Sequence, residues 1–189
     1  MKLVSFRSLD DLRPVLMDAS SSGPDPVYEV FTDINQPSWV NQTVIYPGKL
    51  GQEYPKTFGH YHGVKVDEIY HLVEGEGVLI LQTGRTTNDE RRTTDKVVLI
   101  KMKPGDEIKI TPEWGHAWSN TGQTSLVAYD NWSAGHTEAD YQEIKNLHGM
   151  AYYLIEQDKQ VHVVKNPHYQ NLPEAVWMTA AEFNAKIAS

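Results

Sequence analysis

The stretch that decides the reading is Gly59-His60-Tyr61-His62-Gly63-Val64-Lys65-Val66-Asp67-Glu68-Ile69-Tyr70, answered far downstream by Pro112-Glu113-Trp114-Gly115-His116. Residues two apart on a strand share a face, so His60 and His62 are expected to point the same way, into a barrel. Glu68 opens the next alternating segment, where it can close the same site. His116 brings a third imidazole from a separate turn. Three imidazoles and one carboxylate leave coordination positions free for water or substrate oxygens, as a catalytic metal requires. Taken singly the pieces say little. A His-x-His pair on an exposed strand arises by chance, and a lone histidine is usually packed or solvated. Their weight comes from the combination, each ligand in its own turn context.

Around this stretch the chain reads as short strands. Val27 to Thr32 alternates and is rich in aromatic and β-branched residues. Trp39 to Tyr46 is similar and ends at the turn pair Pro47-Gly48. Glu68 to Val73 turns through Gly75-Glu76-Gly77 into Val78 to Gln82. A polar loop is expected over 83–95. Lys96 to Met102, Asp106 to Ile110, Ala117 to Asn120 and Ser125 to Tyr129 continue the series, with turns at Pro104-Gly105 and Thr121-Gly122. Many short strands at regular spacing favour a closed antiparallel sheet. Before the strands, Ser8 with Asp10 and Asp11 predicts a helix near 9–19, stopped by the loop Ser20 to Pro26. After them come a helix from Glu138 to His148 stopped by Gly149, a hairpin of Tyr152–Glu156 with Gln160–Lys165, and a terminal helix opened by the capping box Thr179 to Glu182. The expected division is 1–26 N-terminal helix and loop, 27–166 β-barrel, and 167–189 tail with a short helix.

Composition sets limits on the chemistry. The 189 residues contain no cysteine, which excludes disulfides and thiolate ligands. A net charge of -8 supplies no basic excess for nucleic acid, and an anionic substrate must be held by local donors against the overall field. The N-terminal residues do not read as a signal peptide, and no run is long enough to cross a membrane, so the cytoplasm is expected.

Gly59-His60-Tyr61-His62, with Glu68 and then Gly75, resembles the first cupin motif. Pro104-Gly105, Pro112, His116 and Asn120 resemble the second. The resemblance implies an all-β fold, a cupin double-stranded β-helix or jelly-roll barrel with a few peripheral helices and the metal inside its mouth. Fold alone does not choose the chemistry. The flanking segments Val27-Tyr28-Glu29-Val30, Thr43 to Lys49, Thr57 to His62, Glu68-Ile69-Tyr70, Leu81-Gln82-Thr83, Pro112 to His116 and Ala134-Gly135-His136 are together similar to the cupin-type glucose-6-phosphate isomerases. They run in order from about Tyr28 to about Lys165.

What that likeness implies is specific. His60, His62, Glu68 and His116 would hold one divalent metal, Fe2+ first, with Mn2+, Ni2+ or Zn2+ also compatible with the donors. Tyr28, Thr43, Thr57 and Gly59 would hold the sugar phosphate, although threonine and tyrosine are common on strands for other reasons. The reaction would interconvert glucose 6-phosphate and fructose 6-phosphate, with Glu68 as candidate base and Tyr70, Tyr129 and His136 orienting the substrate or assisting ring opening. A carboxylate bound to a cation is a weak base, and a hydride shift is the other route. The chain departs from archaeal members in a His62–Glu68 segment shorter by one residue, a longer 83–95 loop, an extra residue before Ala134, and an extended tail. Phe58 stands before Gly59, where a basic residue would have helped hold phosphate. Two rivals stay open: a cupin Fe2+ dioxygenase and a non-catalytic sugar-phosphate-binding cupin. A homodimer is expected by analogy.

Overall fold

A computed structural model describes residues 1–86 and 92–188. In chain order the elements begin with β1 (Lys2–Arg7), α1 (Leu9–Leu12), a 3₁₀ turn (Arg13–Val15), β2 (Tyr28–Thr32) and β3 (Asn41–Ile45). Next come β4 (Glu68–Glu74), β5 (Gly77–Thr83), the short pair β6 (Arg85–Thr86) and β7 (Arg92–Thr93), and β8 (Val97–Met102). Then follow β9 (Glu107–Ile110), β10 (Trp114–Asn120), β11 (Leu126–Asp130) and α2 (Glu138–Asn146). The chain closes with β12 (Tyr152–Gln157), β13 (Gln160–Lys165), β14 (Val176–Thr179) and α3 (Ala180–Ile187).

One sheet is antiparallel throughout, in the order β1-β2-β3-β11-β4-β9, and the second has the order β10-β5-β8-β14. Together they form the cupin jelly roll. On β4, Glu68, Tyr70 and Leu72 are buried while Ile69, His71 and Val73 are only half-buried, so alternation sends Glu68 and Tyr70 inward. On β5 nearly every residue is buried, and its Val-Leu-Ile-Leu run is continuous rather than alternating, as for a strand covered on both faces. α3 lies against β8, β9 and β14. Its Phe183 is 2% exposed and meets the Trp114 ring edge-on at 5.3 Å. Burying such a side chain contributes roughly 1.5–3 kcal/mol.

Several expectations are corrected. The helix near 9–19 is only α1 and one 3₁₀ turn. Ser8 and Asp11 do form a reciprocal capping box, but Pro14 lacks the N–H a longer helix needs and its ring crowds the preceding turn. The 1–26 segment also contains β1, which pairs with β2 in the main sheet. That strand has no signature in the sequence because Leu3, Val4 and Phe6 are all exposed, leaving no half-buried pattern. His60 and His62 do not lie on a strand. His60 makes a single bridge to His116, each backbone N–H donating to the other's carbonyl, at 3.1 and 2.9 Å. The polar 83–95 loop carries the β6–β7 ladder, and its part at 87–91 lies outside the described residues. The tail adds β14, parallel to β8, before its capped helix.

Candidate metal centre

Three pieces of chain converge on the centre. β4 delivers Glu68, β10 delivers His116, and the segment 57–62 crosses the mouth through the His60–His116 bridge. One ligand atom from each of His60, His62, Glu68 and His116 can be chosen so that all lie within 4.8 Å of one another. His62, Glu68 and His116 are 9%, 1% and 1% exposed, while His60 is half-buried at the cavity wall.

The polar atoms of this cluster are incompletely satisfied. His62 Nε2 is 2.9 Å from Glu68 Oε2 in hydrogen-bond geometry. His116 Nε2 approaches the same oxygen at 3.0 Å, but misaligned for a hydrogen bond, so that nitrogen has no partner. His60 Nε2 is likewise buried without one. Leaving buried polar atoms unpaired costs about 1–3 kcal/mol each. A cation that accepts their lone pairs removes that cost, and three imidazoles with one carboxylate suit a borderline divalent metal. The donors fit the ion.

Electrostatics agree. Burial pushes the Glu68 carboxyl up, but the neighbouring His116, His62 and His60 imidazoles outweigh it and hold Glu68 well below the usual carboxylate range. Burial, then the His116 and His136 rings, keep His60 well below its ordinary value, hence neutral and free to bind metal. The Tyr70 phenol is pushed well up by burial and by the Glu68 and Asp130 carboxylates, which keeps its proton on.

The centre opens into a cavity of about 550 Å³. His60, His116, Tyr70 and His136 line it, together with Tyr28, Thr43, Thr57 and Gly59. The structure therefore brings together all the candidate residues except Tyr129. β11 places Ala128 and Asp130 inward and leaves Tyr129 half-buried on the other side, 6.5 Å from the His71 ring. Alternation along β11, unbroken from Leu126 to Asp130, sets this phase, and the extra residue in its ladder with β4 is Val73 on β4. His136 is exposed at the mouth, yet its ring sits 4.2 Å from that of His60. Its loop is fixed by Trp132, whose indole N–H donates to Gly135 O and whose backbone N–H donates to Asp130 Oδ1.

Two glycines are required by close packing. Gly59 has φ +84°, and a Cβ there would meet Met150 Sδ at 3.0 Å. A Cβ on Gly115 would lie 2.6 Å from the Tyr61 ring. Tyr61, between the two histidines, accepts a hydrogen bond from Gln82 and so holds the His60–His62 segment down.

Sequence reasoning missed Arg7, Asp130 and Trp132. Asp130 is 4% exposed and accepts hydrogen bonds from Asn41 and Trp132. Burial, then the Glu68 charge, raise it to about 7. A phase count along 126–130 starting from Leu126 would have found it. Arg7 offered no such signal, because β1 itself was not visible. Its guanidinium lies 5.7 Å from the Tyr141 ring centre and acts on the Tyr28 hydroxyl.

With this geometry in place, the comparisons with known proteins are informative. Residues 11–171 match the family model described as glucose-6-phosphate isomerase (GPI), which leaves β1 and Arg7 outside the match. A glucose-6-phosphate isomerase of Thermococcus onnurineus is 34% identical over 181 residues, covering 87% of this chain and 86% of that protein. One from Pyrococcus furiosus is 32% identical over 184 residues, covering 88% of each. Among solved structures, the Drosophila melanogaster CENP-C cupin domain aligns at TM-score 0.40 and 13% identity over 64% of this chain and 81% of that one. A structural likeness that loose bears on no chemistry.

Proposed function

The chain belongs to the cupin-type glucose-6-phosphate isomerase family, and from that premise we propose that it interconverts glucose 6-phosphate and fructose 6-phosphate in a metal-dependent reaction. The observation that carries the metal dependence is the four-residue cluster with its unpartnered imidazole nitrogens at the base of a substrate-sized cavity. A divalent ion held by His60, His62, Glu68 and His116, with Fe2+ the first choice, would supply positive charge for the sugar oxygens at C1 and C2.

The chain's own groups account for the rest. Tyr70, kept protonated, donates to a substrate oxygen. His136, exposed at the mouth with its ring 4.2 Å from that of His60, is placed to move a proton during ring opening. Glu68 stays ionised, so it is the candidate base for the C2 proton, although sharing its charge with a cation weakens it. Tyr28, Thr43, Thr57 and Gly59 hold the phosphate. Thr57 Oγ1 accepts from the Trp118 backbone N–H at 3.0 Å, which leaves its own proton free to donate.

That substrate would put the protein in glycolysis and gluconeogenesis, with the cytoplasm as its compartment. β1 leaves Leu3, Val4 and Phe6 exposed on an edge strand, and a homodimer that covers them removes both liabilities. Light scattering on the eluted protein should return twice the chain mass; a monomer rejects the dimer.

The function is tested by stripping the chain with chelator, reloading Fe2+ or Mn2+, and following fructose 6-phosphate to glucose 6-phosphate. Turnover that vanishes on stripping and returns on reloading is expected. Tight metal binding with no turnover sinks the isomerase reading.

A further inference from the structure

Among the described residues, Arg7 is the one lysine or arginine that lines the cavity. It is half-buried; the exposed Asp11 is near enough to feel its charge, but that carboxylate is engaged by the Ser8 backbone N–H and hydroxyl, and among the described residues no ion pair joins it to Arg7. Its register partner is Tyr28, whose own neighbour across the next pair is Ile45 on β3. Two carboxylates also line the cavity, Asp130 and the exposed Glu138. Asp130 belongs to the level of Thr32 and Asn41, four residues along β2 from Tyr28, or about 13 Å at the usual strand rise. The guanidinium thus stands apart from the buried carboxylate, beside Tyr28 and its hydroxyl. In a chain of net charge -8, a cation facing a cavity with only the exposed, Ser8-bound Asp11 for a neighbouring anion is unusual. It marks where an anion from outside belongs.

We propose that Arg7, carried on β1, is the charged anchor of the substrate's phosphate, acting with Tyr28, Thr43 and Thr57. The inference rests on the isomerase reading and adds to it the one full positive charge that the neutral donors lack. It also gives β1 a purpose: the strand forms one wall of the cavity, through Val4, Ser5 and Arg7, and delivers the guanidinium. A guanidinium supplies paired N–H donors that match two phosphate oxygens, which an ammonium cannot do.

The test compares metal-loaded wild type, Arg7→Gln and Arg7→Lys in fructose 6-phosphate turnover, with inorganic phosphate as competing inhibitor, and measures inorganic phosphate binding to all three by calorimetry. For Arg7→Gln we expect KM to rise about 10- to 100-fold while kcat stays within about threefold, since the lost contact is present in ground and transition states alike. Inhibition by inorganic phosphate should weaken by a similar factor. Arg7→Lys should recover part of the loss, because charge is kept and the paired donors are not. Unchanged KM and unchanged phosphate inhibition in Arg7→Gln overturns the anchor and leaves the isomerase standing. A fall in kcat at constant KM also overturns it, as that is what a purely structural residue would give. If wild type turns over no fructose 6-phosphate, the isomerase reading falls by itself. Calorimetry then still decides: phosphate binding that weakens in Arg7→Gln supports the anchor, and equal binding rejects it.

Discussion

The two ends of the cavity are built in opposite ways. At the metal end, Glu68 and His116 are 1% exposed, the rings of His60, His62 and His116 lie 4.3–5.2 Å apart, and Trp132 packs on His62 at 3.8 Å. At the other end Tyr28 and Thr43 are buried but Arg7 and Thr57 are only half-buried, and Arg7 comes from an edge strand with three exposed apolar side chains. The difference follows from desolvation. An ionised carboxylate taken out of water needs its partners fixed in advance, so the metal end must be preformed and dry. A phosphate arrives with its own hydration and can be met by groups that remain partly wet, at little cost to the empty fold.

Experiments can break this contrast at several strengths. The largest effect is expected from Glu68→Gln, which removes the anionic ligand: kcat/KM should fall about a thousandfold or more, equivalent to roughly 4 kcal/mol. A metal titration on the same variant should show weakened binding; unchanged affinity would remove Glu68 from the ligand set. Next comes Gly115→Ala. Its new Cβ collides with the Tyr61 ring at 2.6 Å, and an overpacked core of this kind loses roughly 1–3 kcal/mol. Denaturant unfolding reads the loss, and metal affinity should fall with it because Tyr61 holds the His60–His62 segment. Retained stability and affinity would mean the metal end is less rigid than its packing indicates.

Asp130→Asn sharpens the boundary between the ends. The folded chain raises Asp130 from its ordinary value of 3.8 to about 7, so folding favours the protonated form and the carboxylate destabilises the fold as pH rises between those values. The variant should therefore match the wild-type metal-free chain near pH 4 and exceed it by about 1–2 kcal/mol at pH 8. A constant difference across that range would show that Asp130 does not titrate there. The smallest effect is expected from Tyr129→Phe, whose side chain lies off the cavity: turnover should stay within about twofold, against about a hundredfold loss for Tyr70→Phe, which removes a donor to the developing charge. Equal losses in the two would return Tyr129 to the site.

Much of the metal end was legible in the sequence because its ligands are chemically distinctive and held by short-range turn signals. His60, His62, Glu68 and His116 are named by residue type and spacing alone. The strands 28–32, 68–74, 77–83 and 97–102, the 152–165 hairpin and the capped terminal helix were likewise readable, since each repeats a local pattern of burial or capping.

The opposite end was not legible, and the reason is physical. Whether a strand residue faces in or out depends on which phase of the strand is set against the core, and the pairing of β11 with β3 and β4 is what turns Asp130 rather than Tyr129 to the cavity. The strand β1 carries no inward apolar stripe, and it becomes a strand only by pairing with a partner more than twenty residues later. The parallel strand β14 depends in the same way on β8. What the sequence by itself determined was the set of groups able to bind a metal and the barrel that holds them. Which neighbours share the cavity, and that Arg7 is one of them, only the tertiary structure decided, because those positions are set by pairings between distant segments that no local pattern records.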